Sequence, residues 1–327
     1  MKVLFNTYPM AFHTPGGGEI QLLAYQKYLP LYGVDVRLFD PWNPQFLDHD
    51  LVHFFSCIGG SVHFCGFVKK LGLPLVISSS LWITEETKHL YPIDEIRAQL
   101  SLADMVITNS NIECETLSSI LDLPREKFVT VYNGVSEIFF KPVSPDIFRT
   151  QFKLYHPFVL NVGNIEPRKN QLTLVRAMKA FPNMKLVLIG HARDPEYTKS
   201  VLSEGGDQIL YMGSIDHEDE MLRSAYAACE VFCLPSTLET PGLAALEAAA
   251  VWAPLVVTRE GSTREYFGDY AEYVDYIDAG EISKALEKTL KFPRKLQQRT
   301  KVELEGLKWE NVVEGLVEIY SFLKSKK

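Results

Sequence analysis

The sequence predicts an α/β fold made of two open parallel-sheet halves, and three observations carry that prediction. Short Val-, Ile-, Leu- and Phe-rich runs alternate with longer helical patterns along the whole chain, as strands buried beneath helices do. The 327 residues exceed what a single hydrophobic core usually serves, so two domains fit the length. Turn residues cluster from Asn133-Gly134-Val135 through Pro142, Pro145 and Pro157, between two such βα sets.

In order, the first half offers strands at Val3–Asn6, Val34–Phe39, Leu51–Phe55, Leu75–Ser78, Met105–Thr108 and Phe128–Tyr132. The second half offers Phe158–Val162, Lys185–Ile189, Ile209–Met212, Val231–Leu234, Leu255–Thr258 and Glu272–Val274. After Trp309, apolar residues at Val312, Val313, Leu316, Ile319, Tyr320 and Leu323 fall at helical spacing. Lys324, Lys326 and Lys327 then complement a helix C-terminus.

A hydrophobic content of 46% and a charged content of 23% are those of an ordinary globular protein. The net charge of -8 argues against a nucleic-acid binder, which needs a basic surplus. Cys57, Cys65, Cys114, Cys229 and Cys233 are scattered through apolar runs without metal-ligand spacing, and read as buried, reduced thiols. The opening run Met1–Asn6 is too brief for a signal peptide, and no apolar run is long enough to span a bilayer. The expected location is the cytoplasm, at most in peripheral contact with the inner membrane face.

Most of the chemistry lies between Leu234 and Ala250. A strand runs into a Pro/Ser/Thr loop that opens directly into an Ala/Leu-rich helix. Such a junction aims free backbone N–H groups and a positive dipole end above the sheet, which suits a phosphate. Glu239 lies in the loop, and Glu247 lies just over a turn into the helix, placed to accept hydrogen bonds from the vicinal hydroxyls of a ribose. These residues propose a nucleotide-sugar site.

Arg168 and Lys169 follow the strand that ends at Gly163, on the βα loop where open α/β sheets bind ligands. They read either as a solvated basic pair or as the cations a departing diphosphate needs. A helix start disfavours cations unless an anion compensates. Thr14-Pro15-Gly16-Gly17-Gly18-Glu19 follows the first strand. Its glycines permit close backbone approach to a ligand, although a flexible turn looks the same. His13, beside it, is the best polar candidate of the first domain. His53 follows the same logic at a strand end, facing either a cleft or the core. Trp82, Tyr91 and Phe12 offer either an acceptor-side stacking platform or loop packing.

Taken together these segments resemble the GT-B glycosyltransferases of family 4 over essentially the whole chain. The matching pieces are Gly16-Gly17-Gly18, Asn133-Gly134-Val135, Val162-Gly163…Arg168-Lys169-Asn170 and Gly213-Ser214…Leu222…Tyr226-Ala227. They continue through Leu234-Pro235-Ser236…Glu239…Gly242-Leu243…Leu246-Glu247-Ala248 and Pro254–Thr258…Gly261–Glu265, with Glu239 and Glu247 forming an E-x7-E motif. The resemblance implies two Rossmann-like domains facing each other across a cleft. An acceptor-side domain would cover 1–140 and a nucleotide-sugar donor domain 141–308, with a helix over 309–327 crossing back onto the first.

It also implies roles. Lys169, helped by Arg168 and Asn164, would hold the donor diphosphate, and Glu247 would bind the ribose. Glu239 would contact the transferred sugar as the catalytic residue. Backbone N–H groups of Gly242, Leu243 and Ala244 would cap phosphate oxygens, and Gly16, Gly17 and Gly18 would close over the donor. Transfer would retain anomeric configuration, with no metal and no cofactor, leaving UDP or GDP as product. The acceptor would be a sugar or lipid-linked glycan in bacterial surface-polysaccharide assembly.

Three positions depart from the family pattern. Asn164 stands where many relatives carry Arg, and Trp252 where a Gly is usual. The run Ile77-Ser78-Ser79-Ser80-Leu81-Trp82 has serines where relatives carry a sugar-orienting His, so Ser80 and Trp82 become the first-domain candidates. The other readings are a nucleotide-sugar epimerase or hydrolase on the same frame, and a catalytically inactive transferase-like binding protein.

Overall fold

All twelve predicted strands form, and they assemble into two six-stranded, wholly parallel sheets. The computed structural model describes residues 1–13, 15–58, 60–292 and 303–326, so Thr14 and Lys327 of the runs above lie outside the described residues. The chain divides into two units: Met1–Gly134 together with the segment from Leu307 onward, and Val135–Gly306.

The first unit holds β1 (Lys2–Thr7), β2 (Asp35–Leu38), β3 (Leu51–Phe55), β4 (Leu75–Ser78), β5 (Met105–Thr108) and β6 (Phe128–Thr130), in the order β2-β1-β3-β4-β5-β6. Strands β3 and β4 are buried at every residue, which explains why they are apolar except at His53 and Ser78: helices cover both faces of a parallel sheet. Its helices are α1 (Gly17–Tyr28), α2 (Val62–Lys70), α3 (Ile93–Leu102) and α4 (Asn111–Leu121).

The C-terminal helix Trp309–Ser325 belongs to this unit. It buries the whole predicted stripe, Trp309, Val312, Val313, Leu316, Ile319, Tyr320 and Leu323. It packs on α1, with the Trp309 ring edge-on to Tyr25 at 5.6 Å. Tyr320 reaches further in, its hydroxyl 2.6 Å from Nδ1 of His53 on β3. Nε2 of His53 lies 2.9 Å from the Ser78 hydroxyl on β4, so the imidazole is a fully buried link between two strands and the last helix. Burial pushes its pKa down to about 3 and holds it neutral. Of the two sequence readings of His53, the structure selects the core.

Trp309 is wedged over Gly134, where an added Cβ would lie 2.5 Å from the indole and 2.9 Å from the Trp309 Cα. Because backbone cannot yield there, Gly134→Ala is expected to destabilise this unit by about 1–3 kcal/mol through overpacking. Urea unfolding followed by fluorescence checks this, and an unchanged midpoint would refute the wedge.

The second unit holds β7 (Phe158–Val162), β8 (Lys185–Ile189), β9 (Ile209–Tyr211), β10 (Val231–Leu234), β11 (Leu255–Thr258) and β12 (Ala271–Val274), in the order β12-β11-β10-β7-β8-β9. Its helices are α5 (Asp146–Gln151), α6 (Gln171–Met178), α7 (Pro195–Gly205), α8 (Glu220–Ala228), α9 (Leu243–Ala250), α10 (Thr263–Phe267) and α11 (Ala279–Lys291). The strand order reverses between β7 and β10, and the crevice beyond such a reversal is where open α/β sheets bind ligands. Glycine makes that edge buildable. Gly190 ends β8 at φ 150°, and a Cβ there would lie 1.9 Å from the Gly163 carbonyl oxygen.

All five cysteines are buried and free. Among the described residues no helix is long and apolar enough to cross a membrane.

Candidate functional site

Two loops meet at the switch point of the second sheet. One leaves β7 and passes through Asn164, Arg168 and Lys169 into α6. The other leaves β10 and passes through Glu239 into α9. Three links tie them together. The Thr237 N–H donates to the Arg168 carbonyl (2.8 Å), Asn170 Nδ2 donates to the Pro235 carbonyl (3.0 Å), and Lys169 Nζ lies 2.5 Å from Glu239 Oε1. Asn170 can serve both loops because it sits in the left-handed region, at φ 57°.

The Lys169–Glu239 pair is largely withdrawn from water, with the side chains 13% and 6% exposed. Arg168 Nη1 adds a more distant charge 3.9 Å from the same carboxylate oxygen, and donates to the Leu238 carbonyl at 3.3 Å. Burial alone would raise the Glu239 pKa, but Lys169 and then Arg168 outweigh it and hold it below the ordinary glutamate value. The backbone of Glu239 is pinned too: its carbonyl accepts from the Ser262 N–H at 3.0 Å. Gly261 passes so close that a Cβ there would lie 2.1 Å from that carbonyl oxygen.

Helix α9 begins directly above this pair. Gly242 caps it at φ 86°, and a Cβ on Gly242 would fall 3.0 Å from Glu239 Oε2. No side chain caps α9, and its first turn carries no acidic residue. The same is true of α6, next to Lys169. By contrast α5, α7, α8, α10 and α11 each carry an acidic residue in the first turn. Two open positive dipole ends beside a lysine and an arginine favour an anion at this edge.

One turn into α9, Glu247 is buried and its carboxylate is held by two donors: His217, which the sequence did not mark, and Tyr226, which it marked only as part of the family pattern. His217 Nε2 approaches Oε1 at 2.7 Å, and the Tyr226 hydroxyl donates to Oε2 at 2.7 Å. His217 comes from the loop after β9, Tyr226 from α8. Burial favours the neutral form of His217, but Glu247, with Glu218 and Asp216 behind it, outweighs that and raises its pKa.

The other predicted positions lie elsewhere or take less part. Asn164 accepts a bond from Gln171 Nε2 at its backbone carbonyl (2.9 Å). Trp252, at φ 69°, packs edge-on to Phe140 at 6.4 Å. In the first unit, His13 ends a 3-10 turn and Gly16–Gly18 open α1, where the Gly16 N–H donates to Glu19 (2.7 Å). Both follow β1, beside the reversal of that unit's sheet between β1 and β3. The serines after β4 are engaged inward. Ser78 meets His53, and the Ser79 hydroxyl donates to the fully buried Glu113 (2.8 Å), which also accepts from the Leu81 N–H (3.2 Å). Ser80, exposed and at φ 43°, reaches Gln21 of α1 at 3.4 Å, and Trp82 is half-buried.

Two six-stranded parallel sheets of this kind, in succession along one chain, define the GT-B class of fold. The chain resembles sucrose-phosphate synthase from Thermosynechococcus elongatus with a TM-score of 0.84 (21% identity, 100% of this chain and 99% of that one). It resembles HepE of Anabaena, solved in complex with UDP, with a TM-score of 0.81 (17% identity, 98% and 100%). Residues 144–303 match the model of the family Glycosyl transferases group 1. Among curated relatives, the chain is 27% identical over 231 residues to D-inositol 3-phosphate glycosyltransferase of Mycolicibacterium smegmatis, covering 67% of this chain. It is 25% identical over 248 residues to O-antigen chain mannosyltransferase B of Escherichia coli, covering 71%. The match spans 53% and 64% of the length of those two relatives.

Proposed function

We propose that this protein is a retaining, metal-independent glycosyltransferase that moves a sugar from a UDP or GDP sugar to a hydroxyl acceptor in glycan assembly, in the cytoplasm or at the inner membrane face. The observation that carries the reading is the buried Lys169–Glu239 pair beneath the uncapped start of α9, at the switch point of the sheet. The donor diphosphate sits against Lys169, Arg168 and the N–H groups of Gly242, Leu243 and Ala244, with Glu247 on the ribose. Cations and amide dipoles then stabilise the charge that a metal would otherwise meet. The bond from the anomeric carbon to the phosphate oxygen breaks, a bond to the acceptor oxygen forms on the same face, and the acceptor proton leaves with the diphosphate. Glu239 stays ionised and stabilises the positive charge that gathers on the sugar. HepE, which binds UDP and UDP-glucose, and the relatives named as mannosyltransferases support the donor class.

Thermal shift and calorimetry with UDP, GDP and their sugars test the reading, and complete absence of binding by all of them would end it. Glu239→Gln is expected to keep nucleotide affinity while lowering kcat by roughly 10²-fold, as removal of a preorganised charge does. An equal loss in affinity and no loss in kcat would move Glu239 out of the catalytic role.

A further inference from the structure

We infer that His217 and Tyr226 are positioning residues for Glu247, clamping its carboxylate from both oxygens so that the remaining lone pairs are held ready for a diol. The inference rests on the ribose role proposed for Glu247. Each carboxylate oxygen accepts one bond from the protein, at 2.7 Å from Nε2 of His217 and 2.7 Å from the Tyr226 hydroxyl. Four lone-pair sites minus two leaves acceptor capacity for two hydroxyl donors, which is what a 2′,3′-diol presents.

The clamp is itself braced. The Phe139 ring stands edge-on to His217 at 5.2 Å and to Tyr226 at 6.0 Å, and both Phe139 and Tyr226 are fully buried. Tyr226 cannot lose its proton at ordinary pH, because burial and then Glu247 push its pKa up. It therefore remains a donor. An unclamped glutamate on α9 would have to give up rotamer freedom each time it bound a ribose; here that ordering is complete before a ligand arrives.

The test measures calorimetric Kd values for UDP and GDP, and for their 2′,3′-dideoxy counterparts, with the whole protein and its His217→Ala, His217→Gln, Tyr226→Phe and Glu247→Ala variants. His217→Ala and Tyr226→Phe are expected to weaken the ribose nucleotide by about tenfold each, the equivalent of one hydrogen bond's ordering, while leaving the dideoxy nucleotide unchanged. His217→Gln, which can present a donor near the place of Nε2, is expected to restore most of the loss. The positioning role is overturned if Glu247→Ala removes the ribose preference but His217→Ala and Tyr226→Phe do not, or if they weaken both nucleotides equally. If Glu247→Ala itself leaves the ribose preference intact, the ribose role falls first and the clamp with it.

Discussion

Replacing Lys169 with alanine is expected to do two separable kinds of damage. The first is to ligand binding: a diphosphate that loses its buried cation should bind at least tenfold more weakly, the cost of one charge-assisted hydrogen bond or more. The second is to the fold. Glu239 is 6% exposed, so removing Lys169 strands a carboxylate with only the half-exposed Arg168 guanidinium, 3.9 Å away, to offset it. Leaving a buried charge uncompensated costs about 3–5 kcal/mol, and Arg168 places the expectation at the lower end.

The pH dependence separates the two effects. In the intact protein the Glu239 pKa is depressed, so its contribution to stability is present above the unfolded glutamate value and lost as pH falls. Without Lys169, burial raises that pKa, and protonation then relieves the penalty. The stability deficit of Lys169→Ala should therefore be largest at neutral pH and shrink in acid. The double variant Lys169→Ala/Glu239→Gln should recover much of the stability at pH 7 and none of the nucleotide affinity. Urea unfolding at pH 7 and pH 4.5 measures this; a pH-independent deficit, or a double variant no more stable than the single one, would refute the account.

The second large effect is expected from His53. An imidazole that is free in the unfolded chain and fully buried in the folded one takes up its proton only on unfolding. With a folded pKa of about 3 against 6.5 unfolded, stability is fully present above pH 6.5 and falls as pH drops from there toward 3. At about 1.4 kcal/mol per pH unit, this single group costs the first unit about 4 kcal/mol by the bottom of that window. His53→Leu should be less stable at pH 7, because it leaves the Tyr320 and Ser78 hydroxyls unpaired. It should also lose stability less steeply than the native chain between pH 6 and 4. Parallel slopes for the two proteins would show that His53 is not a buried neutral group.

The sheets were legible because a parallel strand covered on both faces is a nearly continuous apolar run. Val231–Leu234 shows that pattern without any partner in view, and Leu51–Phe55 departs from it only at His53. The chemistry at the second sheet's edge was legible as two separate segments. What the sequence could not show is that Lys169 and Glu239, seventy positions apart, form one ion pair. Only the order of strands, which sets β7 beside β10, brings them together. His217 was passed over for a different reason. It sits in Asp216-His217-Glu218-Asp219-Glu220, a run that reads as solvated surface, and nothing local marks its contact thirty residues ahead with Glu247. Glu113 was hidden in the same way. A glutamate in the first turn of a helix is ordinarily explained by the dipole, yet this one is buried and orders the loop after β4 through Ser79 and Leu81.

The C-terminal helix has a consequence for how the chain is made. Tyr25 and His53 leave the ribosome before the second unit, but Trp309 and Tyr320, which cover them, emerge only after it. During synthesis the second unit has its whole sheet available first, while the first unit waits with an open apolar seam along α1 and β3. Of the two units, the one whose translation begins earlier is thus the one completed later, and a chaperone acting on the nascent chain would find its binding surface there.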